Sequence, residues 1–268
     1  MSKNHSKLLY KSGFSLIELV VCIVILGIVS TMSFAMIQKG TDIYIGTTTR
    51  TELAFAGRFL NLRLSREFES ALPYSFTIAN DFKGLTFIRP ISLFRIQNFS
   101  KNKNNSKYTI KALISELQLD NLNVSKNDCK VVQGVSNYKY SIAYFNQGDS
   151  FKFVSDVNLN IDSDNKIVSF EVDDLDIIYN LSANNRIYLL DSCSKRGFEF
   201  QNNVLNYQAY NFDTGNKIGN AINLIDKSIT VKNVTFSGSG NHVTTGLLLL
   251  KLDESVPLSF YTEVRNAP

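Results

Sequence analysis

Lys11-Ser12-Gly13-Phe14-Ser15-Leu16-Ile17-Glu18-Leu19 is the stretch that decides how this 268-residue chain is read. A short leader carrying Lys3, Lys7 and Lys11 ends in glycine, and a long apolar segment starts directly after it. That segment holds one acidic residue, Glu18, placed five positions beyond Gly13. From Leu19 to Gln38 none of the 20 residues is charged, about the length a helix needs to cross a bilayer. A charged side chain in such a run costs roughly 2.5–3.5 kcal/mol at mid-bilayer, and less toward the helix end, so Glu18 is read as functional. Lysines before the span keep the leader cytoplasmic and send the rest of the chain outside.

The segment resembles the class III signal of type IV pilins and type II secretion pseudopilins. That resemblance implies a cut between Gly13 and Phe14 by a membrane-embedded prepilin peptidase, which then N-methylates the new amino terminus on Phe14. Glycine suits the cut because no side chain blocks the backbone. Glu18 becomes the fifth residue of the mature chain, where the family's carboxylate pairs with the N-terminal ammonium of a neighbouring subunit. In a low dielectric each charge lowers the other's burial cost. A competing reading is a Sec-type signal cut near Ser33-Phe34-Ala35, giving an exported soluble binding protein. It leaves Glu18 inside the hydrophobic region, where a carboxylate only weakens insertion. Cys22 follows Val20-Val21 rather than a small residue, which excludes a lipoprotein signal.

The whole chain has a formal charge of +4. Losing the three leader lysines lowers it to +1. That balance predicts no nucleic-acid partner. Beyond the first helix about 195 residues remain, enough for one sizeable core or two small ones. Of the three cysteines, Cys22 lies in the span and is read as a packing residue. Cys129 and Cys193 fall in the exported part, as either a disulfide or two buried thiols.

The predicted fold class is α+β. A long N-terminal helix, membrane-spanning in its first half, packs on a β-rich globular head in the pilin lollipop shape. The boundaries are a leader over 1–13, an assembly helix over 14–38, an amphipathic continuation over 39–72 and the head over 73–268. Leu53, Ala56, Leu60, Leu64, Phe68 and Leu72 recur every three or four residues, one face of a helix. Arg63 and Glu67 form an i,i+4 pair, and Pro73 ends the helix. As one rod, Phe14 to Leu72 would span about 90 Å. Gly40 and Thr47-Thr48-Thr49 mark where it would bend or melt.

Beyond Pro73 the pattern turns to β. Strands are predicted at 74–79, 85–89, 138–145, 151–157, 166–172 and 186–190, with a closing pair at 243–252 and 258–264. Turns fall at Asn146-Gln147-Gly148-Asp149 and Asp162-Ser163-Asp164-Asn165, and 101–107 is a polar loop. The head is expected to be a single β-rich domain, with at most a second small sheet.

Enzyme chemistry has little footing here. Once the leader goes, His242 is the lone histidine, and there is no C-x-x-C and no G-x-S-x-G elbow. Asp162-Ser163-Asp164-Asn165 lacks the bidentate Glu that closes a 12-residue calcium loop, so it is read as a hairpin turn. Asp173-Asp174 with Asp176 is read as a solvated edge. No enzyme, cofactor or metal is predicted.

Arg58-Phe59-Leu60, Arg66-Glu67-Phe68 and Ala71-Leu72-Pro73 narrow the likeness. They resemble the helix end of minor pilins of MSHA-type pilus biogenesis and, more distantly, type II secretion minor pseudopilins of J type. The resemblance implies as partners the prepilin peptidase, other minor and major pilins, the inner-membrane assembly platform and the lipid bilayer. The family's Cys-x-Glu-Phe strand is replaced by Gly84-Leu85-Thr86-Phe87, so its disulfide is not carried over to this chain.

Overall fold

The computed structural model describes residues 15–101, 107–127, 129, 138–146, 150–162, 164–173 and 186–264. Two units are distinguished, one ending at Thr51 and one starting at Glu52. The first is helical throughout its described length. Helix α1 runs unbroken over Leu16–Glu69. The helical run continues through Gly40 and Thr47–Thr49, so it does not melt there. Thr41 and Thr51 hydroxyls instead donate to the carbonyls of Ile37 and Thr47, one turn back, at 2.9 Å. Hydroxyls bonded that way no longer compete with the helix for its amides.

Among the described residues, the second unit holds the end of α1, a second helix α2 (Glu116–Asn127) and fourteen strands. A five-stranded antiparallel sheet has the order β1 (Thr77–Ile78), β2 (Gly84–Ile88), β9 (Lys195–Gln201), β10 (Val204–Tyr210), β11 (Lys217–Asn223). A three-stranded meander follows: β12 (Thr230–Ser239), β13 (His242–Lys251) and β14 (Glu254–Glu263). Leu53, Leu60, Leu64 and Phe68 of α1 insert between these sheets and meet Phe87, Phe198, Phe236 and Leu249 in one core. Gly57 makes the approach of β14 possible, since a Cβ there would lie 2.8 Å from Leu258 Cδ1.

The rest of the head is the surprise. Residues between β2 and β9 form a closed six-stranded antiparallel barrel in the order β3 (Ser92–Lys101), β4 (Tyr108–Leu113), β7 (Ile167–Val172), β6 (Ser150–Asp162), β5 (Tyr140–Asn146), β8 (Arg186–Asp191). Pairing of β3 with β8 closes it, Ser92 opposite Leu189 and Arg95 opposite Arg186. Phe94, Ile110, Ile142, Phe170, Ile187 and Leu189 fill the interior, and Leu122 of α2 joins them. The barrel interrupts a strand pair, for Ile88 of β2 lies opposite Lys195 of β9. The head remains one compact unit, and the second sheet in it is a full barrel rather than a small one. Among the described residues its two largest apolar clusters are the helix-built one and the barrel interior, with two smaller ones beside them.

Candidate functional site

Gly13 and Phe14 lie outside the described residues, so the site begins at Ser15. The Glu18 carboxylate folds back on its own helix: Ser15 N–H donates to Glu18 Oε2 at 2.9 Å, and Ile17 N–H donates to Ser15 Oγ at 3.3 Å. This is a reciprocal capping box, which satisfies amides that the first helical turn leaves without partners. Its sequence signal is the S-x-x-E pattern Ser15-Leu16-Ile17-Glu18. Glu18 therefore has an intramolecular partner before any neighbouring subunit arrives. Beyond it the apolar side chains from Leu16 to Ile45 are exposed, and the helix is long and apolar enough to cross a membrane. Cys22 is a free, exposed cysteine on this segment.

A second exposed stripe was missed. Phe55, Phe59 and Leu62 are each about 60 % exposed, and spacings of four and three put them on one helix face. That face is opposite to Leu53, Leu60 and Leu64, which are fully buried. The sequence signal was present, since those apolar positions fall outside the stripe that defined the buried face.

Near the end of α1, Glu67 is almost buried and anchors a polar node. Its Oε2 accepts from Arg89 Nη1 at 3.1 Å and from the Tyr207 hydroxyl at 2.8 Å. Arg63 Nε stands 3.8 Å from Oε1, beyond hydrogen-bond reach, and its guanidinium lies over the Tyr207 ring at 5.5 Å. Burial first, and the Glu67 charge second, push the Tyr207 phenol up to about 12. Burial alone would lower the Arg89 guanidinium, but Glu67 and Tyr207 outweigh it and raise it.

The seam between barrel and sheet has its own node. Cys129 and Cys193 are joined by a disulfide, with Cα atoms 5.8 Å apart. Beside it Asp191, 2 % exposed, accepts four hydrogen bonds. Cys193 N–H (2.9 Å) and the Ser194 hydroxyl (3.0 Å) reach Oδ1; the hydroxyls of Ser125 (2.8 Å) and Tyr138 (3.1 Å) reach Oδ2. Burial, followed by the Asp191 charge, pushes the Tyr138 phenol far up.

The remaining sequence candidates are unremarkable surface features. His242 Nδ1 lies 2.8 Å from the exposed Tyr261 hydroxyl. Asp162 accepts from Asn165 N–H at 3.1 Å and from Asn165 Nδ2 at 2.7 Å between β6 and β7, while Ser163 lies outside the described residues. So do Asn146-Gln147-Gly148-Asp149 after its first residue, 102–106 of the polar loop, and Asp174 and Asp176 of the acidic edge. Among the described residues no group of three or more His, Cys, Asp or Glu is placed to hold a metal.

Residues 9–34 match the family model described as the prokaryotic N-terminal methylation motif. Neither a curated protein nor a solved structure matches the chain. The N-terminal methylation motif of prokaryotic pilins and pseudopilins thus lies at the start of a long apolar helix, with a β-rich head following it. Processing by a prepilin peptidase, anchoring in a membrane and assembly with other pilins go with that motif.

Proposed function

We propose that the chain is a minor pilin that helps initiate or cap a type IV pilus, of the kind served by the MSHA (mannose-sensitive haemagglutinin) biogenesis protein MshO. Prepilin peptidase cuts between Gly13 and Phe14 and methylates Phe14. The precursor waits in the inner membrane with its head in the periplasm, then leaves with the growing filament. The role is assembly rather than catalysis. What carries this reading is the methylation motif running straight into an unbroken helix whose apolar run holds Glu18 alone. The exposed Phe55, Phe59 and Leu62 add helix surface for neighbouring subunits. The head's size, about 195 residues, suits a low-copy subunit better than the main building block.

N-terminal mass spectrometry on protein from membranes and from sheared filaments tests it. The expected mature chain starts with N-methyl-Phe14; a start at Met36 means a soluble exported protein and ends the assembly reading. Glu18→Ala is expected to keep the chain in the membrane and out of the filament fraction. Full incorporation of that variant would remove the carboxylate from the assembly step. Co-purification with a secretion pseudopilus instead of a pilus would move the chain to the J-type pseudopilins.

A further inference from the structure

Two arginines stand side by side on the outside of the barrel. Arg95 of β3 lies directly opposite Arg186 of β8 in the ladder that closes it. Their neighbours Phe94 and Ile187 are fully buried in the barrel interior. Strand alternation therefore turns Arg95 and Arg186 outward, and both are exposed. Side chains directly opposite in an antiparallel pair have Cβ atoms about 4.5–5.5 Å apart, and like charges so placed destabilise the sheet. Among the described residues no ion pair or hydrogen bond engages either guanidinium.

The charge around the pair is one-sided. Lys111 of β4, opposite Asn98 of β3, lies on the same outer face, between the buried Ile110 and Ala112. Strands β8, β3 and β4 are neighbours in the barrel, and the one acidic side chain they carry is Asp191. That carboxylate is buried and already accepts four hydrogen bonds. Glu116, where α2 begins just after β4, is held by Lys166 at 2.9 Å. Two leucines interleave with the basic groups. Leu93, two residues before Arg95, is 41 % exposed, and Leu113, two residues after Lys111, is 52 % exposed. A spacing of two keeps them on the outer face. Exposed cations and exposed apolar side chains thus share one patch.

We infer that this face docks an acidic segment of a partner protein, with its carboxylates on Arg95 and Arg186 and its apolar side chains over Leu93 and Leu113. A carboxylate bridging the two guanidiniums replaces their repulsion with charge-assisted hydrogen bonds. Charge complementarity selects an acidic partner. The leucines select a protein, since a phosphate polyanion leaves them bare. This surface goes beyond the assembly role and rests on the barrel alone, so it stands or falls apart from processing at the N-terminus.

Fluorescence anisotropy on the full-length mature chain in detergent tests it with three labelled probes: the peptide Glu-Leu-Glu-Glu-Leu-Glu, the same peptide with serine in place of leucine, and a short oligothymidylate. The leucine peptide is expected to bind with a Kd of about 1 mM or tighter. It should bind about fivefold or more tightly than the serine peptide and the oligothymidylate, through the buried leucine surface. Arg95→Gln and Arg186→Gln are each expected to weaken it by about fivefold. Each variant should melt at or above wild type, because each removes the like-charge contact. A merely structural role for the arginines predicts the opposite shift in melting. No binding of the leucine peptide at about 5 mM overturns the surface, as does binding unchanged in both variants. Serine-peptide binding of equal strength overturns the apolar half of the partner. Tighter binding of oligothymidylate overturns the protein partner in favour of a phosphate polyanion. A lowered melt in both variants makes the pair part of the barrel's own structure and overturns the inference.

Discussion

The two apolar centres of the head are built on opposite plans. One gathers its residues from across the chain: Leu53 to Phe68 on α1, Phe87 on β2, Phe198 on β9, Phe236 and Leu249 on the final meander. Without the helix that centre has no middle. The barrel centre uses residues 94–189 and closes strand on strand, so its sheet has no free edge, and none of its described core residues comes from α1. Where the barrel enters and leaves, Arg89 N–H donates to Ser194 O at 2.8 Å, extending the β2–β9 ladder across the insertion. The difference teaches that a helix-anchored head can accept about a hundred residues at a hairpin without disturbing the centre that holds the helix.

The largest expected effect tests that independence directly. Phe68 touches Phe76, Phe87 and Phe198 edge-on, with ring centroids 5.4–5.8 Å apart, and is 1 % exposed. Phe170 packs on Phe94 inside the barrel at 5.5 Å and is fully buried. Each Phe→Ala change is expected to cost about 3–5 kcal/mol in its own centre. Hydrogen-exchange mass spectrometry reads peptides from β13 and β7 separately. Phe68→Ala should deprotect β13 and spare β7, and Phe170→Ala should do the reverse. Joint deprotection by either variant would make the two centres one folding unit and break the comparison.

How much of this was legible follows the same division. The helix-built centre was half readable: Leu53, Leu60, Leu64 and Phe68 repeat at helical spacing and the closing strands around 243–264 are runs of apolar and β-branched residues, but β9 to β12 were not expected from the sequence. The barrel was half readable. Strands β5 to β8 announced themselves, but β3 and β4 did not; in β3, Arg95, Gln97 and Asn98 dilute Ser92-Leu93-Phe94-Arg95-Ile96-Gln97-Asn98-Phe99-Ser100-Lys101. Helix α2 was missed because Leu122 is its one buried residue and its middle is rich in Asn and Asp. Its capping box, Ser115 with Gln118, was the available signal: Ser115 N–H donates to Gln118 Oε1 at 2.9 Å and Gln118 N–H returns to Ser115 Oγ at 3.2 Å. Closure of β3 on β8 has no local signal at all, since nothing within either strand selects a partner ninety residues away. At the candidate site Glu18 was legible as a lone charge, whereas the Asp191 node, which gathers Ser125, Tyr138, Cys193 and Ser194, depends on contacts far apart in the sequence. The helix end of the chain is local, and the seam is not.

The next effect in size concerns the seam. The Cys129–Cys193 bridge spans 64 residues, including the barrel's last four strands, and ties the end of α2 to the β8–β9 turn. A loop of that length corresponds to about 4 kcal/mol in the chain-entropy account. A Cys129→Ala, Cys193→Ala double variant is expected to lower protection in β5 and β8 and leave β13 near wild type. Asp191→Asn is the companion variant. It keeps the volume but turns one accepting oxygen into an NH2 that cannot accept, so two of the four donors lose their acceptor, for about 1–3 kcal/mol at the same seam. Equal losses in β13 and β8 would show that the bridge stabilises the whole head, and the insertion would then be a structural part of the helix-built centre.

The smallest effect is read against pH, in the polar node of the helix-built centre. Tyr207, hydrogen-bonded to Glu67 at 2.8 Å, holds its proton up to about pH 12, against 10.0 for an ordinary tyrosine. A group whose folded value is raised contributes fully below the unfolded value and loses that contribution as pH climbs through the folded one. Wild type should therefore lose about 2–3 kcal/mol between pH 10 and pH 12 through Tyr207. Tyr207→Phe removes this titration but also removes the hydrogen bond to Glu67. It should sit about 1 kcal/mol below wild type near pH 8, and the deficit should close as the alkaline loss of wild type sets in. Protection in β13 is the place to see it, because Tyr207 belongs to that centre. The burial-raised Tyr138 phenol at the seam titrates alike in both proteins and drops out of the difference. Parallel alkaline curves for wild type and Tyr207→Phe would mean that the phenol keeps its proton for reasons the fold does not supply. Glu67 would then be held by Arg89 alone.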